Sequence, residues 1–272
     1  MNIDAIEQLV RSEHRCCDMP ISERLHHFRL TFEPYIFHLL ILRYGQKLEE
    51  CWKMYQPTSR KAFVIVERRC HPNFWFVLRN LVWARPDMPI YIFCSDVNIE
   101  FLRGLIGNKD IHLLPVFIGS PGREQAVKEY SEFLTSPAMY KAIDADWIIT
   151  IQMDVFIRRK IPDSIFMGEY WGYPFGWRPD YAGGGGASVR NVTKCYELCM
   201  KYADTGVLDV AEDVWFCERV TDIPSFDTRR NYIMENVLSM NPYIVHQFWT
   251  YVDVTYDFKK YWNYLLTFEI VE

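Results

Sequence analysis

The sequence predicts an α/β protein: a mostly parallel β-sheet flanked by helices and preceded by an N-terminal helical extension. Two observations lead there. Short apolar runs rich in β-branched residues recur at residues 62–67, 90–94, 111–118 and 147–151. Each is bounded by polar residues, as strands buried on both faces are. Longer stretches of helical character stand between them, at residues 74–84 and 124–143. Strands that alternate with helices in this way form a sheet covered on both sides.

Residues 1–57 are expected to form the helical extension. Leu25, Phe28, Leu30 and Phe32 lead into a long periodic segment, which Gln56-Pro57-Thr58-Ser59 ends. No chemistry is legible in it. Residues 58–272 make up the α/β domain. Its first strand, 62–67, is followed by the helix at 74–84, which Pro86-Asp87-Met88-Pro89 terminates. The second strand runs into Ser95-Asp96. The third covers 111–118. Pro137 must break or divide the helical stretch at 124–143, because its ring and missing N–H oppose a continuous helix. The fourth strand is 147–151. In sheets of this kind ligands bind beyond the carboxyl ends of the strands, so the polar residues there are the first candidates for function.

Composition narrows the class. Of 272 residues, 50% are hydrophobic, 16% aromatic and 24% charged. That supplies a sizeable core and excludes disorder along the whole chain. A formal charge of −5 argues against a nucleic-acid binder with a basic surface. Eight cysteines contain no CxxC pair, so spacing gives no structural zinc site. Cys16 and Cys17 are adjacent, while Cys195 and Cys199 lie at helical spacing and read as small buried hydrophobes. A reducing compartment follows. The first residues lack the apolar core of a signal peptide. The apolar stretch at 35–42 is far too short to span a bilayer. The expected location is cytoplasmic, which makes Asn191-Val192-Thr193 a chance glycosylation sequon.

Four segments could carry chemistry. The fourth strand ends in Gln152-Met153-Asp154, a carboxylate placed where a divalent cation and phosphates could meet. An Asp capping a turn would look the same. Residues 183–186 are four consecutive glycines, which permit close approach or positive φ angles. They are neither a P-loop nor GxGxxG. With the helix-like 191–202 following, they read as a glycine turn at a helix N-terminus, suited to an anionic or sugar ligand. Ala211-Glu212-Asp213-Val214 places paired carboxylates before an aromatic run, and an acidic first helical turn would produce the same residues. His246 stands between hydrophobic residues, either as a core histidine or as a neutral metal ligand. Trp171, Tyr173, Phe175 and Trp177 cluster before the glycines, where aromatic faces could stack on sugars, although packing claims about half of them.

The order of these segments resembles a glycosyltransferase family. Glu67-x-Arg69 follows the first strand. Gln-x-Asp at 152–154, Gly-Gly-x-Ser-x-Arg at 185–190, Glu212-Asp213-Val214 and the late His246 follow in turn. Tyr130-Ser131-Glu132-Phe133-Leu134 and Glu169-Tyr170-Trp171-Gly172-Tyr173-Pro174 belong to the same pattern, which extends over residues 62–249. The chain is similar to a little-characterised family of GT-A-type glycosyltransferases, distantly similar to the inverting β-1,3-glycosyltransferases.

The resemblance implies a GT-A-like, nucleotide-binding sheet and a nucleotide-sugar donor, UDP-linked. The acceptor would be a glycan or another hydroxyl compound, with no nucleic acid and no membrane span. A divalent cation, Mn²⁺ or Mg²⁺, would be held by Asp154 and completed by His246. Gln152 stands where the family's metal motif has its first acid, a departure that weakens two-carboxylate coordination. Gly184, Gly185 and Ser188 would lie near the donor and acceptor sugars, with Trp171 in the aromatic cluster beside them. Glu67 and Arg68 would face the nucleotide. Asp213 would be the general base and Glu212 its supporting neighbour. One metal and one base suffice for an in-line displacement with inversion, with retention as the alternative, since sequence does not show which face the base approaches. Two other classes compete: an inactive nucleotide-sugar or carbohydrate-binding module, and a metal-dependent nucleotidyltransferase. The absence of a P-loop and of a phosphate-clamping lysine near the glycines counts against the latter.

Overall fold

A computed structural model describes residues 21–203 and 210–247, with side chains from Glu33 onward. The expected helix over residues 1–20, the Cys16-Cys17 pair, the side chains of Leu25, Phe28, Leu30 and Phe32, and the chain beyond Gln247 with Trp249 lie outside the described residues.

The central sheet has six strands in the order β3-β2-β1-β4-β7-β6. These are β1 (Lys61–Val66), β2 (Ile90–Ser95), β3 (His112–Phe117), β4 (Trp147–Ile151), β6 (Tyr170–Tyr173) and β7 (Gly184–Asn191). β1 pairs in parallel with β2 and β4, and β2 with β3. β7 runs antiparallel to both β4 and β6. The sheet is therefore mostly parallel, as the four apolar runs predict. A second, three-stranded sheet joins β5 (Val155–Ile157), β9 (Ile244–His246) and β8 (Ile233–Met234) in the order β5-β9-β8.

Alternation along β1 sends Phe63 and Ile65 into one core and Ala62 and Val64 into the other, the period-two consequence of a pleated strand. The first core is covered by α1 (Ile21–Lys53) and α2 (Phe74–Ala84). Ile36, Leu39, Leu40 and Leu48 of α1 belong to it, so the N-terminal helix is built into the domain's interior. α3 (Ile99–Ile106) follows β2. The second core lies beneath α4 (Arg123–Leu134), α5 (Pro137–Lys141) and α6 (Val192–Lys201). Pro137 divides α4 from α5 as expected. It occupies the first turn of α5, where a missing N–H costs nothing, and Ser136 caps that turn by accepting from the Met139 N–H at 3.4 Å. Two short helices, α7 (Glu212–Cys217) and α8 (Phe226–Tyr232), precede β8.

One expectation is overturned. Residues 184–186 are not a turn feeding a helix N-terminus; they open strand β7. Helix α6 begins only after that strand ends, capped by Asn191 accepting from the Lys194 N–H. Of the four glycines only Gly183 has a positive φ, at 112°. Cys51, Cys70, Cys94, Cys195, Cys199 and Cys217 are free thiols. Among the described residues, no helix is long and apolar enough to cross a membrane.

Candidate active site

The site forms where β4 ends and β5 begins. Gln152–Asp154 make the turn between them, and antiparallel pairing of β5 with β9 puts Val155 opposite His246. That register brings Asp154 and His246 together, with Oδ1 3.2 Å from Nε2. Both are buried. On the other side of the ring Glu235 Oε1 lies 3.4 Å from Nδ1, an ion-pair separation without the alignment of a hydrogen bond. Gln247 Nε2 sits 2.9 Å from Nε2 of the imidazole. Gln247 also has a positive φ of 37°, rare for a residue with a side chain and a local strain beside the site. Burial alone would depress the imidazole pKa, but the Asp154 and Glu235 carboxylates outweigh it and raise it to about 10. Protonated, the ring stands between the Asp154 and Glu235 carboxyls, and burial raises the pKa of the latter in turn. A divalent ion at Nε2 would take over that positive charge once the nitrogen gives up its proton.

The glycines of β7 explain how these groups come so close. A Cβ on Gly184 would overlap the Tyr173 ring, one on Gly185 the Glu212 carboxylate, and one on Gly186 the His246 imidazole. Three successive positions are stripped of side chains because three distant side chains lie against the backbone there. The neighbours that require these glycines are the chain's own groups. Tyr173 in turn stacks on His246, with ring centroids 5.3 Å apart.

Glu212 and Asp213 open α7, where acidic residues stabilise the exposed N–H groups of a first turn. Adjacent helical residues point in different directions, and these two do. Glu212 turns inward and accepts from Arg190 Nη2 at 3.2 Å. Arg190 is fully buried and also donates to Ser188 Oγ at 3.0 Å and Tyr140 Oη at 3.0 Å. Burial, reinforced by Asp213 and opposed by Arg190, pushes the Glu212 carboxyl up to about 7. Asp213 is half-buried. Its Oδ2 accepts from the Gly185 N–H at 3.3 Å and its Oδ1 from the Val214 N–H at 2.8 Å. Both carboxylates lie against Gly185, that of Glu212 buried and that of Asp213 half-buried.

The remaining expected residues divide. Gln152 is tied to this centre: its N–H donates to Gly186 O at 2.9 Å and its amide to Tyr130 Oη at 3.1 Å. Glu67 and Arg68 lie just past the end of β1, beside β4. Glu67 binds the Arg69 guanidinium through both oxygens, at 2.8 and 2.6 Å. Arg68 pairs with Glu129 at 2.6 Å and lies over the Phe117 ring. Two expectations need correction. Trp171 is fully buried, with Nε1 donating to Met167 O at 2.8 Å, and offers no face to a sugar. Ser188 is equally buried, its hydroxyl 2.6 Å from that of Thr150. Every residue of β6, and of β7 up to Arg190, is buried, so both side chains are covered.

Sequence reasoning missed Glu235, a lone acid after two apolar residues, which carries no motif. It also missed a contribution from the N-terminal helix. Asn73 donates to buried Glu33 of α1 at 3.1 Å and to Met153 O, next to Asp154, at 2.9 Å. The helix that looked devoid of chemistry braces the turn that holds Asp154.

The donor set fits a divalent cation only in part. Asp154 and His246 offer one oxygen and one nitrogen from adjoining strands, and Glu235 reaches the opposite ring nitrogen. Among the described residues no group of three or more His, Cys, Asp or Glu is arranged to hold a metal ion. Two protein ligands suit an ion whose shell substrate phosphates complete, with Glu235 orienting the imidazole from behind.

The architecture and this cluster define an α/β protein with a polar centre at the carboxyl ends of β1 and β4. Comparison with known proteins places the similarity in the same region. A family described as "Protein of unknown function (DUF5672)" matches residues 123–246. That stretch carries the Gln152–Asp154 turn, the glycine strand, Glu212, Asp213 and His246. Among solved structures, the chain is similar to the apo-form glycosyltransferase GlyE of Streptococcus pneumoniae TIGR4, at 10% sequence identity and a TM-score of 0.46. The likeness covers 77% of this chain and 64% of that one, so this chain spans under two thirds of that protein's length. No curated protein matches the chain.

Proposed function

We propose that this protein is a glycosyltransferase that moves a sugar from a nucleotide-sugar donor, UDP-linked, to an acceptor hydroxyl with inversion at the anomeric carbon. The supporting observation is one of convergence. Asp154 and His246, 92 residues apart, meet at 3.2 Å beside the same three glycines that receive Glu212 and Asp213.

Asp154 and His246 would hold Mn²⁺ or Mg²⁺, which when bound supplies Lewis-acid stabilisation to the departing nucleoside diphosphate. Asp213 is the carboxylate of its pair left partly open. It would take the acceptor's proton as the hydroxyl oxygen bonds to the anomeric carbon. The bond from that carbon to the diphosphate breaks, and its electron pair leaves with the nucleotide. The Gly185 N–H holds Asp213 beside the glycine strand, while Arg190 engages the buried Glu212 carboxylate. Glu67 and Arg68, at the end of β1, would lie on the nucleotide side. We place the protein in the cytoplasm.

A second reading, binding of a nucleotide sugar without turnover, is favoured by Gln152, which stands in place of an acid and spends its amide on Tyr130. A panel of nucleotide sugars and nucleoside triphosphates, assayed with and without Mn²⁺ for released nucleotide and thermal stabilisation, separates the readings. Metal-dependent release of nucleoside diphosphate from one donor supports the transferase. Stabilisation by a donor without release supports the binding module. Neither effect with any donor overturns both.

A further inference from the structure

The loop between β6 and β7 presents an aromatic surface that the proposed chemistry does not use. Trp177 is 67% exposed, whereas Phe101, the other exposed aromatic among the large hydrophobic side chains of the described residues, is 39% exposed. One face of its indole stacks on Phe175, with centroids 5.1 Å apart and planes at 16°. The opposite face is therefore the one offered to solvent. Arg178 and Asp180 pair with one another next in the chain, at 3.3 Å.

The loop is held in place at some cost. Phe175 and Arg178 form a β-bridge across it, and the Arg178 guanidinium lies 3.7 Å from the Tyr181 ring centroid. Arg229, 1% exposed, donates to the carbonyls of Pro179, Tyr181 and Pro224. These three acceptors are backbone carbonyls, and burial draws its pKa below the usual arginine value. Burying a guanidinium against neutral acceptors is expensive. Here the return is a fixed backbone under an exposed indole, and a preformed surface binds without paying to be ordered.

We propose that Trp177, edged by Arg178 and Asp180, is a stacking platform for a sugar ring of a carbohydrate acceptor. A pyranose has an apolar face of C–H groups and a rim of hydroxyls, which matches a flat indole bordered by one cation and one anion. A lipid chain would have to desolvate that charged border. A nucleobase would also stack, but the proposed nucleotide side lies past β1, with β4 and β7 between it and edge strand β6. The loop also leads directly into Gly185, whose N–H holds Asp213. Ring contacts run from Trp177 through Phe175 and Tyr173 to His246, each over 5 Å between centroids.

The acceptor role rests on the transferase reading; the platform itself does not. The full chain, Trp177→Ala and Trp177→Phe are each applied to an array of immobilised oligosaccharides. Wild-type nucleotide release from the donor panel is measured in parallel. The expected result is glycan capture by the wild type, a loss of tenfold or more in Trp177→Ala, and substantial recovery in Trp177→Phe, which keeps a stacking face. Glycan capture that depends on Trp177, in a protein that turns over no nucleotide sugar, sustains the platform and removes the transferase reading. Donor turnover with glycan capture indifferent to Trp177→Ala removes the platform and leaves the transferase. Absence of capture by the wild type across the array also overturns the platform. Equal losses in the alanine and phenylalanine variants, both melting as the wild type does, overturn stacking as its basis.

Discussion

His246 packs directly on Gly186, so closely that a Cβ there would overlap the imidazole at Cε1, Nε2 and Nδ1. This contact fixes how near the histidine stands to Asp154 and explains why β7 begins without side chains. It also turns an apparent ligand loop into a strand whose first residues are the floor of the site.

Gly186→Ala should therefore displace the histidine and separate it from Asp154. Overpacking of this kind costs about 1–3 kcal/mol, and Mn²⁺ binding in the presence of UDP should weaken tenfold or more. Gly104→Ala is the control: nothing lies within 4 Å of its Cβ position inside α3, and Gly→Ala at a compatible site stabilises by about 0.4–1 kcal/mol. Thermal melts and metal titration check both variants. A Gly186→Ala protein that melts and binds as the wild type does would mean the strand yields easily.

Asp154→Asn should abolish metal-dependent binding of the nucleotide sugar, since it removes the anionic oxygen donor. Glu235→Ala should weaken Mn²⁺ binding about 10–100-fold through loss of the group behind the imidazole. Glu235→Gln, which keeps an oxygen acceptor for Nδ1, should recover part of it. Isothermal titration with Mn²⁺ and UDP measures all three. Unchanged metal affinity in Asp154→Asn removes that residue from the site.

Asp213→Asn preserves shape and removes the proton acceptor. Transfer should fall by roughly 10²–10⁴-fold, while donor binding, titrated separately, stays near the wild-type value. Loss of the fold in this variant would assign Asp213 to stabilising the first turn of α7 instead. Transfer at a normal rate would leave Glu212 or another carboxylate to act as base.

Glu212 makes stability depend on pH. Its carboxyl is raised from 4.5 to about 7 in the folded chain, so the folded state holds the proton more tightly than the unfolded state. The fold is accordingly penalised as pH rises from about 4.5 to about 7, by roughly 3 kcal/mol once the window is passed. Paired carboxylates elsewhere act in the opposite sense at lower pH, as with the lowered groups of Asp87 and Asp163. The comparison that isolates Glu212 is therefore wild type against Glu212→Gln. The difference in melting temperature between them should change across pH 5–7.5 in favour of the variant. A constant difference would show that Glu212 keeps an ordinary carboxylate pKa.

The elements that follow from short-range chemistry were legible in the chain itself. Residues 74–84 and 147–151 form the expected helix and strand with the same ends. Pro137 divides its helix because a proline lacks the N–H that a helix interior needs. The Gln152–Asp154 turn falls past a strand end because the apolar run stops there. Glu212 and Asp213 open a helix for the reason any acidic first turn does.

What the tertiary structure alone decided is which of these groups meet, and which aromatic residues stay open. The glycine run is locally ambiguous. Only the arrival of Tyr173, Glu212 and His246 from separate parts of the chain makes it a bare strand. Glu235 has no local pattern, and its place at His246 Nδ1 depends on β8 and β9 pairing side by side. Trp171 and Trp177 stand six positions apart in one aromatic stretch. One is sealed in a strand interior and the other exposed on a loop that buried Arg229 holds in place. Periodicity and propensity are set by neighbours along the chain, so the sequence by itself determined the elements and their chemical inventory. Contacts between groups tens of residues apart depend on strand order and register. Those are settled only when the sheets close and the cores beneath them fill.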